Sequence, residues 1–223
     1  MIEKRPDILV VMSDQHSRHA LGAYGSDIVR TPNLDRLAAS GLTFTDAYCP
    51  APLCVPSRMS FMTSRTPSRN RVWDNAHVLS SAIPCWTHYL GAAGYETALI
   101  GRMHFVGPDQ RHGFERRPLG EFGACHPGAP VAGGRAYTRV PVEGCSQDRR
   151  AVEVAGTGTT IHEWFDRRVA QETVDYLRSR AAEADRRPFA AVAGFVLPHN
   201  PYVAPRDLLE YYVERVDLPT PEE

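Results

Sequence analysis

The stretch FAAVAGFVL, Phe189 to Leu197, constrains the fold more than any other part of the chain. The run is too short to span a membrane and lacks the polar alternation of a half-solvated strand. Such a run suits a strand buried on both faces, as in parallel sheets covered by helices. DILVVM, Asp7 to Met12, reads the same way, and YETALIG, Tyr95 to Gly101, reads as another strand. LTFTDAY, Leu42 to Tyr48, alternates enough to be a further one.

Helical signals lie between these runs. In TPNLDRLAASG, Thr31 can cap, Pro32 suits the first helical position, and Gly41 suits the residue after the end. PCWTHYLGAAG, Pro84 to Gly94, repeats that signature. A longer helix starts at the Thr160/Glu163 capping box, with Ile161, Trp164, Val169, Val174 and Leu177 broadly on one face. Strands alternating with helices predict an α/β fold with a largely parallel sheet flanked by helices. Residues 106–158 lose periodicity and are rich in Gly, Pro and Arg, which predicts an irregular surface excursion or lid.

A formal net charge of −1 gives no global field that would recruit nucleic acid or an anionic membrane, so neither is expected as a partner. ILVVM is too short for a signal-peptide core and no later segment qualifies, so a cytoplasmic location is expected. The five cysteines are widely spaced, with no C-x-x-C pair. That spacing predicts free thiols rather than a disulfide framework or a structural zinc site.

Open α/β sheets place their sites outside the carboxyl ends of the strands. The first strand runs into Asp14 and Gln15, YETALIG into Arg102 and His104, and FAAVAGFVL into His199. LTFTDAY leads through CPAPL to Cys54 in CVPSR. Singly, each has a structural reading: Asp14 as a turn cap, His104 as a packed core histidine, His199 as a loop residue. Cys54 itself could be a reactive thiol, a metal ligand or a small buried residue. Convergence of the whole set at one edge favours chemistry. Pro56 suits a first helical position, which sets Cys54 just ahead of a helix whose free N–H groups favour an anion. Arg58, one turn in, can fold back onto an anionic oxygen or onto position 54.

These residues resemble the type I sulfatases of the alkaline phosphatase superfamily. C-x-P-S-R is similar to the family signature whose cysteine is converted to formylglycine by a formylglycine-generating enzyme. VVMSDQ, TPNLDRLAASGLTFTDAYC, GRMHFVGPDQRHGFE and PHNPYVAP resemble further family segments in the same order. Asp74-Asn75-Ala76 and MHFVGPDQ look most like the choline-sulfatase branch and the related phosphonate monoester hydrolases.

The resemblance implies hydrolysis of a small sulfate ester. A hydrated aldehyde at position 54 would attack sulfur, and its second hydroxyl would then expel sulfate. It also implies a divalent cation, Ca²⁺ or Mg²⁺, held by Asp14 and the modified Cys54 with Gln15 at or near the shell. Arg58 would orient the diol, Arg102 would neutralise sulfate oxygens, and His104 would assist sulfate expulsion. His199 would donate to the leaving oxygen and Asn75 would contact substrate.

Arg102 stands where the family usually has lysine, replacing a compact ammonium by a planar fork. Ser64 stands where glycine commonly ends the signature helix, and a left-handed conformation there would cost about 1 kcal/mol. Family members are longer, and their later half supplies a further metal pair and a lysine. Residues 1–223 are therefore expected to form the N-terminal part of a sulfatase catalytic domain whose C-terminal part is absent. That predicts weak activity or none for this chain alone, and self-association into a homo-oligomer through uncovered apolar surface. Two other readings stay open: a phosphonate or phosphate diester hydrolase of the same superfamily, and a non-catalytic metal- or anion-binding remnant.

Overall fold

The computed structural model describes residues 5–121, 153 and 155–216. In chain order, β1 (Ile8–Met12) precedes helices α1 (Pro32–Ser40), α2 (Cys54–Thr63), α3 (Pro67–Asn70) and α4 (Trp86–Ala92). Strands β2 (Glu96–Gly101), β3 (Arg116–Leu119) and β4 (Ala155–Thr157) come next, then α5 (Ile161–Ala182). The chain continues through β5 (Phe189–Gly194), β6 (Tyr202–Ala204) and α6 (Arg206–Val213). Its contacts divide it into two compact units.

The first unit comprises Met1–Asp14, Cys49–Pro141 and Ile161–Val196. Its sheet has four parallel strands in the order β1-β5-β2-β3. Both faces of its central strands β5 and β2 are covered, as their apolar runs require. Leu99 and Val192 meet Val55, Met59 and Met62 of α2 and Phe105 and Phe114 on one face. Ala98, Ile100, Ala191 and Ala193 meet Ile161, Phe165 and Val169 of α5 on the other. The small side chains of β5 let α5 lie close.

Sequence periodicity places only part of the α5 stripe: Ile161, Val169 and Leu177 face the core, but Trp164 and Val174 are exposed. The buried residues are Ile161, His162, Phe165, Val169, Thr173, Tyr176 and Arg180. A polar cluster at the start of β2 accounts for the shift. Buried Glu96 accepts from Tyr176 Oη at 3.0 Å and pairs with Arg180 at 3.3 Å and Arg116 at 3.0 Å. The stripe therefore follows polar partners in its last turns. β1 also departs from the expected buried run: at the sheet edge its Leu9 and Val11 are exposed.

The stretch expected to be irregular from residue 106 contributes β3, whose Pro118 is tolerated because β3 is an edge strand. Val106, Phe114 and Leu119 join the core. The expected lid falls mostly on residues 122–152, which lie outside the described residues. Cys49, Cys54 and Cys85 are free thiols, as expected; Cys125 and Cys145 lie outside the described residues.

The second unit comprises Gln15–Tyr48, Val142–Thr160 and Leu197–Glu223. It holds α1, α6 and a short parallel ribbon of β4 and β6. Thr31 stands at the N-cap of α1 with Pro32 in its first turn, but Gly41 is extended rather than left-handed. Thr31 Oγ1 donates to Asp35 Oδ1 at 2.9 Å instead of capping an N–H. LTFTDAY is not a strand: Leu42, Phe44 and Tyr48 are exposed, and no described strand pairs with it. Alternation specifies a strand only where a partner takes up its N–H and C=O groups. Among the described residues no helix is long and apolar enough to cross a membrane.

Candidate active site

The carboxyl ends of three neighbouring strands are stitched together. Met12 and Gly101 both pair with Gly194. Arg102 N donates to Gly194 O and Phe195 N donates to Met12 O, each at 2.8 Å. Gly101 has φ +93°, and a Cβ there would lie 2.4 Å from Gly194 O and 2.6 Å from a Val169 methyl. Only glycine meets both demands, the left-handed backbone and the close approach. This crossing turns the chain so that Arg102 leaves the sheet beside Asp14, which follows β1.

The signature helix supplies the second wall. α2 begins at Cys54 itself, with Leu53 as N-cap, so Pro56 sits in the third helical position rather than the first. Proline is accepted there because N–H groups of the first turn have no helical partner. Val55 N instead donates to Asn75 Oδ1 at 3.0 Å, which ties the Asp74-Asn75-Ala76 loop to the start of the helix. Cys54 is half-buried. Ser64 ends the helix with φ 52°, the left-handed conformation anticipated for this position.

Asp14, Arg58 and Arg102 meet in one buried cluster. Arg58 Nη2 and Arg102 Nε both donate to Asp14 Oδ2, each at 3.1 Å. Arg58 Nη1 also donates to Arg102 O at 3.1 Å and lies 3.3 Å from Met12 Sδ. The arginine of C-x-P-S-R thus reaches across to Asp14 and the Arg102 backbone. Arg102 Nη2 lies 2.8 Å from His104 Nδ1. A guanidinium can only donate, so Nδ1 accepts and His104 presents Nε2–H.

Sequence reasoning missed one member of the cluster, Glu121. It is 2% exposed, and its Oε1 accepts from Met103 N at 2.8 Å and His104 N at 2.5 Å. Its Oε2 is 3.9 Å from Arg102 Nη1. Nothing in LGEFG signals this, because the residue acts through distant backbone rather than at a motif spacing.

The charges are interdependent. Burial lowers the Arg58 pKa and the nearby Arg102 charge lowers it further, against opposition from Asp14 and Glu121. For Arg102, burial acts downward, but Glu121, Asp14 and Cys54 outweigh it and the net shift is upward. Burial would raise the Glu121 pKa; Arg102, His104 and Arg117 outweigh it and hold the carboxyl below its ordinary value. The cluster is therefore a set of buried ions held by mutual compensation.

Gln15 and His199 belong to the second unit. Gln15 has φ 60° and its Nε2 donates to Tyr202 Oη at 3.2 Å. His199 is buried, with Nδ1 2.7 Å from Asn200 O. The expected cation set takes Asp14 and Cys54 from the first unit and Gln15 from the second. Among the described residues no group of three or more His, Cys, Asp or Glu could hold a metal. Asp14 Oδ2 is already shared by two guanidiniums, whereas a hard divalent cation needs six or more oxygens.

Known proteins resemble this chain in sequence and in fold. The chain is 37% identical over 226 residues to the choline-sulfatase of Rhizobium meliloti (strain 1021), matching 100% of this chain and 44% of the relative. It is 30% identical to the uncharacterized sulfatase YidJ of Escherichia coli (strain K12), over 95% of this chain and 42% of that protein. The chain thus spans less than half the length of these curated relatives. Its fold resembles the crystal structure of Ps i-CgsB, with TM-score 0.69 and 21% identity over 96% of this chain and 50% of that one. It also resembles the phosphonate monoester hydrolase of Agrobacterium radiobacter, with TM-score 0.67 and 22% identity over 97% of this chain and 45% of that one. The Sulfatase family model matches residues 6–220, and the chain belongs to the sulfatase family.

Proposed function

We propose that the protein hydrolyses a small sulfate ester through a formylglycine formed from Cys54. The observation that carries this reading is the half-buried Cys54 at the first turn of α2, backed by two buried guanidiniums that share Asp14. When present, the aldehyde hydrate supplies the oxygen that attacks sulfur. Arg102 and Arg58 provide positive charge beside position 54, where the anionic oxygens of the sulfate monoester would be held while the alcohol departs. His104 offers Nε2–H as a donor because Arg102 holds its Nδ1. Asn75, whose Oδ1 accepts from Val55 N at the start of α2, is the substrate contact in this reading. The identity to the choline-sulfatase of Rhizobium meliloti supports a small ester rather than a polymer.

A divalent cation, Ca²⁺ or Mg²⁺, belongs to this proposal, with Asp14 and position 54 of the first unit and Gln15 of the second as the proposed ligands. No step is assigned to it, because the described residues do not complete its shell. A phosphonate or phosphate diester reading uses the same anion-binding charges, and the assay separates the two. The protein is co-expressed with a formylglycine-generating enzyme, and the peptide bearing residue 54 is weighed by mass spectrometry. The converted protein is then offered 4-nitrophenyl sulfate and 4-nitrophenyl phenylphosphonate side by side. Conversion is expected, and whatever low turnover this chain alone sustains should favour the sulfate over the phosphonate and be lost in Cys54→Ala. An unmodified cysteine, or faster phosphonate turnover, would reject the proposal.

A further inference from the structure

The Gly101-to-Phe105 turn delivers both Arg102 and His104, yet its conformation is not one the local sequence favours. His104 has φ 58°, a left-handed backbone that non-glycine residues adopt infrequently. The turn aims two successive N–H groups, those of Met103 and His104, at one point. Consecutive N–H groups that converge in this way make a small anion-binding concavity. Here the anion is the carboxylate of Glu121, which follows β3 and is almost wholly buried.

A buried carboxylate is tolerated only where hydrogen bonds and opposite charge replace its lost water. Among the described residues, the partners of Glu121 lie on this turn or against it. Met103 N and His104 N donate to Oε1, and Arg102 Nη1 approaches Oε2. Arg117 Nη2 lies 3.6 Å from Oε1 and its Nη1 donates to Gln110 O at 2.6 Å. Gln110 Nε2 in turn donates to the carbonyls of Phe105 and Gly107, each at 2.8 Å. The network closes a ring around the segment that carries Arg102 and His104.

We infer that Glu121 is a positioning residue for the anion site: it locks the Met103–His104 turn and thereby sets where the Arg102 guanidinium and the His104 imidazole stand. Glu121 does not touch the reacting atoms and acts through Arg102 and His104. What those two groups do rests on the sulfatase reading; how they are held does not.

A double-mutant cycle on the chain, with inorganic sulfate as the probe, tests this. Glu121→Gln keeps the shape but removes the charge. It is expected to weaken sulfate binding about tenfold to a hundredfold, the range typical when an outer residue that orients a site is changed. In an Arg102→Ala background the same substitution should cost almost nothing further, because the two residues act as one unit. Amide exchange is the second readout: Met103 and His104 should exchange faster, while Leu99 and Ile100 in β2 keep their protection.

Glu121→Asp retains the charge but retracts it, and should show the same signature at smaller amplitude should the glutamine variant fail to fold. Additive losses of sulfate binding, unchanged exchange at Met103 and His104, or equal acceleration at Leu99 and Ile100 would each overturn the inference. Failure of the unsubstituted chain to bind sulfate would overturn it too. Sulfate binding that follows the cycle in a converted protein that turns over no sulfate ester would leave the inference standing and remove the reaction assignment instead.

Discussion

Replacing Asp14 by asparagine removes the oxygen that two buried guanidiniums share. Both contacts are 3.1 Å long, and the side chains of Arg58, Arg102 and Asp14 are no more than 10% exposed. At an effective dielectric of about 20, each attraction is on the order of 5 kcal/mol. Part of that is already offset by the cost of taking three ions from water. Removing one partner of a buried pair costs about 3–5 kcal/mol, because the remaining charge keeps its desolvation and loses its counter-ion. Glu121 still faces Arg102, so the lower half of that range is expected here. For a protein of this size each kcal/mol moves the melting midpoint by about 2–4 °C, so Asp14→Asn should melt about 6–16 °C lower.

The assay is thermal and urea unfolding of the 223-residue chain followed by circular dichroism. Glu172→Gln, which removes the exposed Arg168 pair at 2.6 Å on α5, is the control and should cost about 0.5 kcal/mol. An Asp14→Asn melt within the error of the control would refute the compensation argument. A higher melt would refute it as well, since it would mean that the aspartate's own desolvation dominates.

Gly194→Ala would bring a Cβ to 2.0 Å from Arg102 O, which is backbone and cannot step aside. The strand crossing should open at a cost of about 2–3 kcal/mol, read as a lower urea midpoint together with lost amide protection at Arg102, whose N–H now donates to Gly194 O. His112 is buried, which depresses its pKa; Asp109 opposes the shift and His88 adds to it. The unfolded chain therefore takes up a proton more readily than the native one. Stability should be full above the ordinary histidine value near about 6.5 and fall as the pH drops below it, by at most about 1.4 kcal/mol per pH unit. His112→Gln should flatten that slope in melting curves taken between neutral and mildly acidic pH; unchanged slopes would count against the assignment.

The parallel sheet was legible because its central strands are hydrophobic on both faces: every residue of β2 and β5 is buried. The strand-end rule then located Asp14 and Arg102 without any knowledge of side-chain geometry. Segments whose fate depends on partners read less well. LTFTDAY alternates like a strand but no described strand pairs with it, and β3 carries two arginines and a proline that no strand pattern would nominate. The face of α5 was only partly legible: Ile161, Val169 and Leu177 do face the core, but Trp164 and Val174 do not, and Glu96, Arg180 and Tyr176 satisfy one another inside it where periodicity counts only apolar residues. Cys54 and Arg58 were legible through a motif. Glu121 was not, since a lone acid in a glycine-rich stretch gives no hint that two backbone N–H groups await it.

The packing of the signature helix sets a schedule on biogenesis. Val55 and Met62 are completely buried, Arg58 is 5% exposed and Met59 1%, and the N–H beside Cys54 is held by Asn75. A modifying enzyme that grips this segment as extended chain would have to strip those side chains from the core and break the first helical turn. Helical turns close within about a microsecond once the surrounding chain has collapsed. On the proposed reading, conversion of Cys54 therefore races against folding, and a molecule that closes α2 first is sealed with its thiol intact. The native fold acts as a deadline, after which two chemically different populations of the same sequence can no longer interconvert without unfolding.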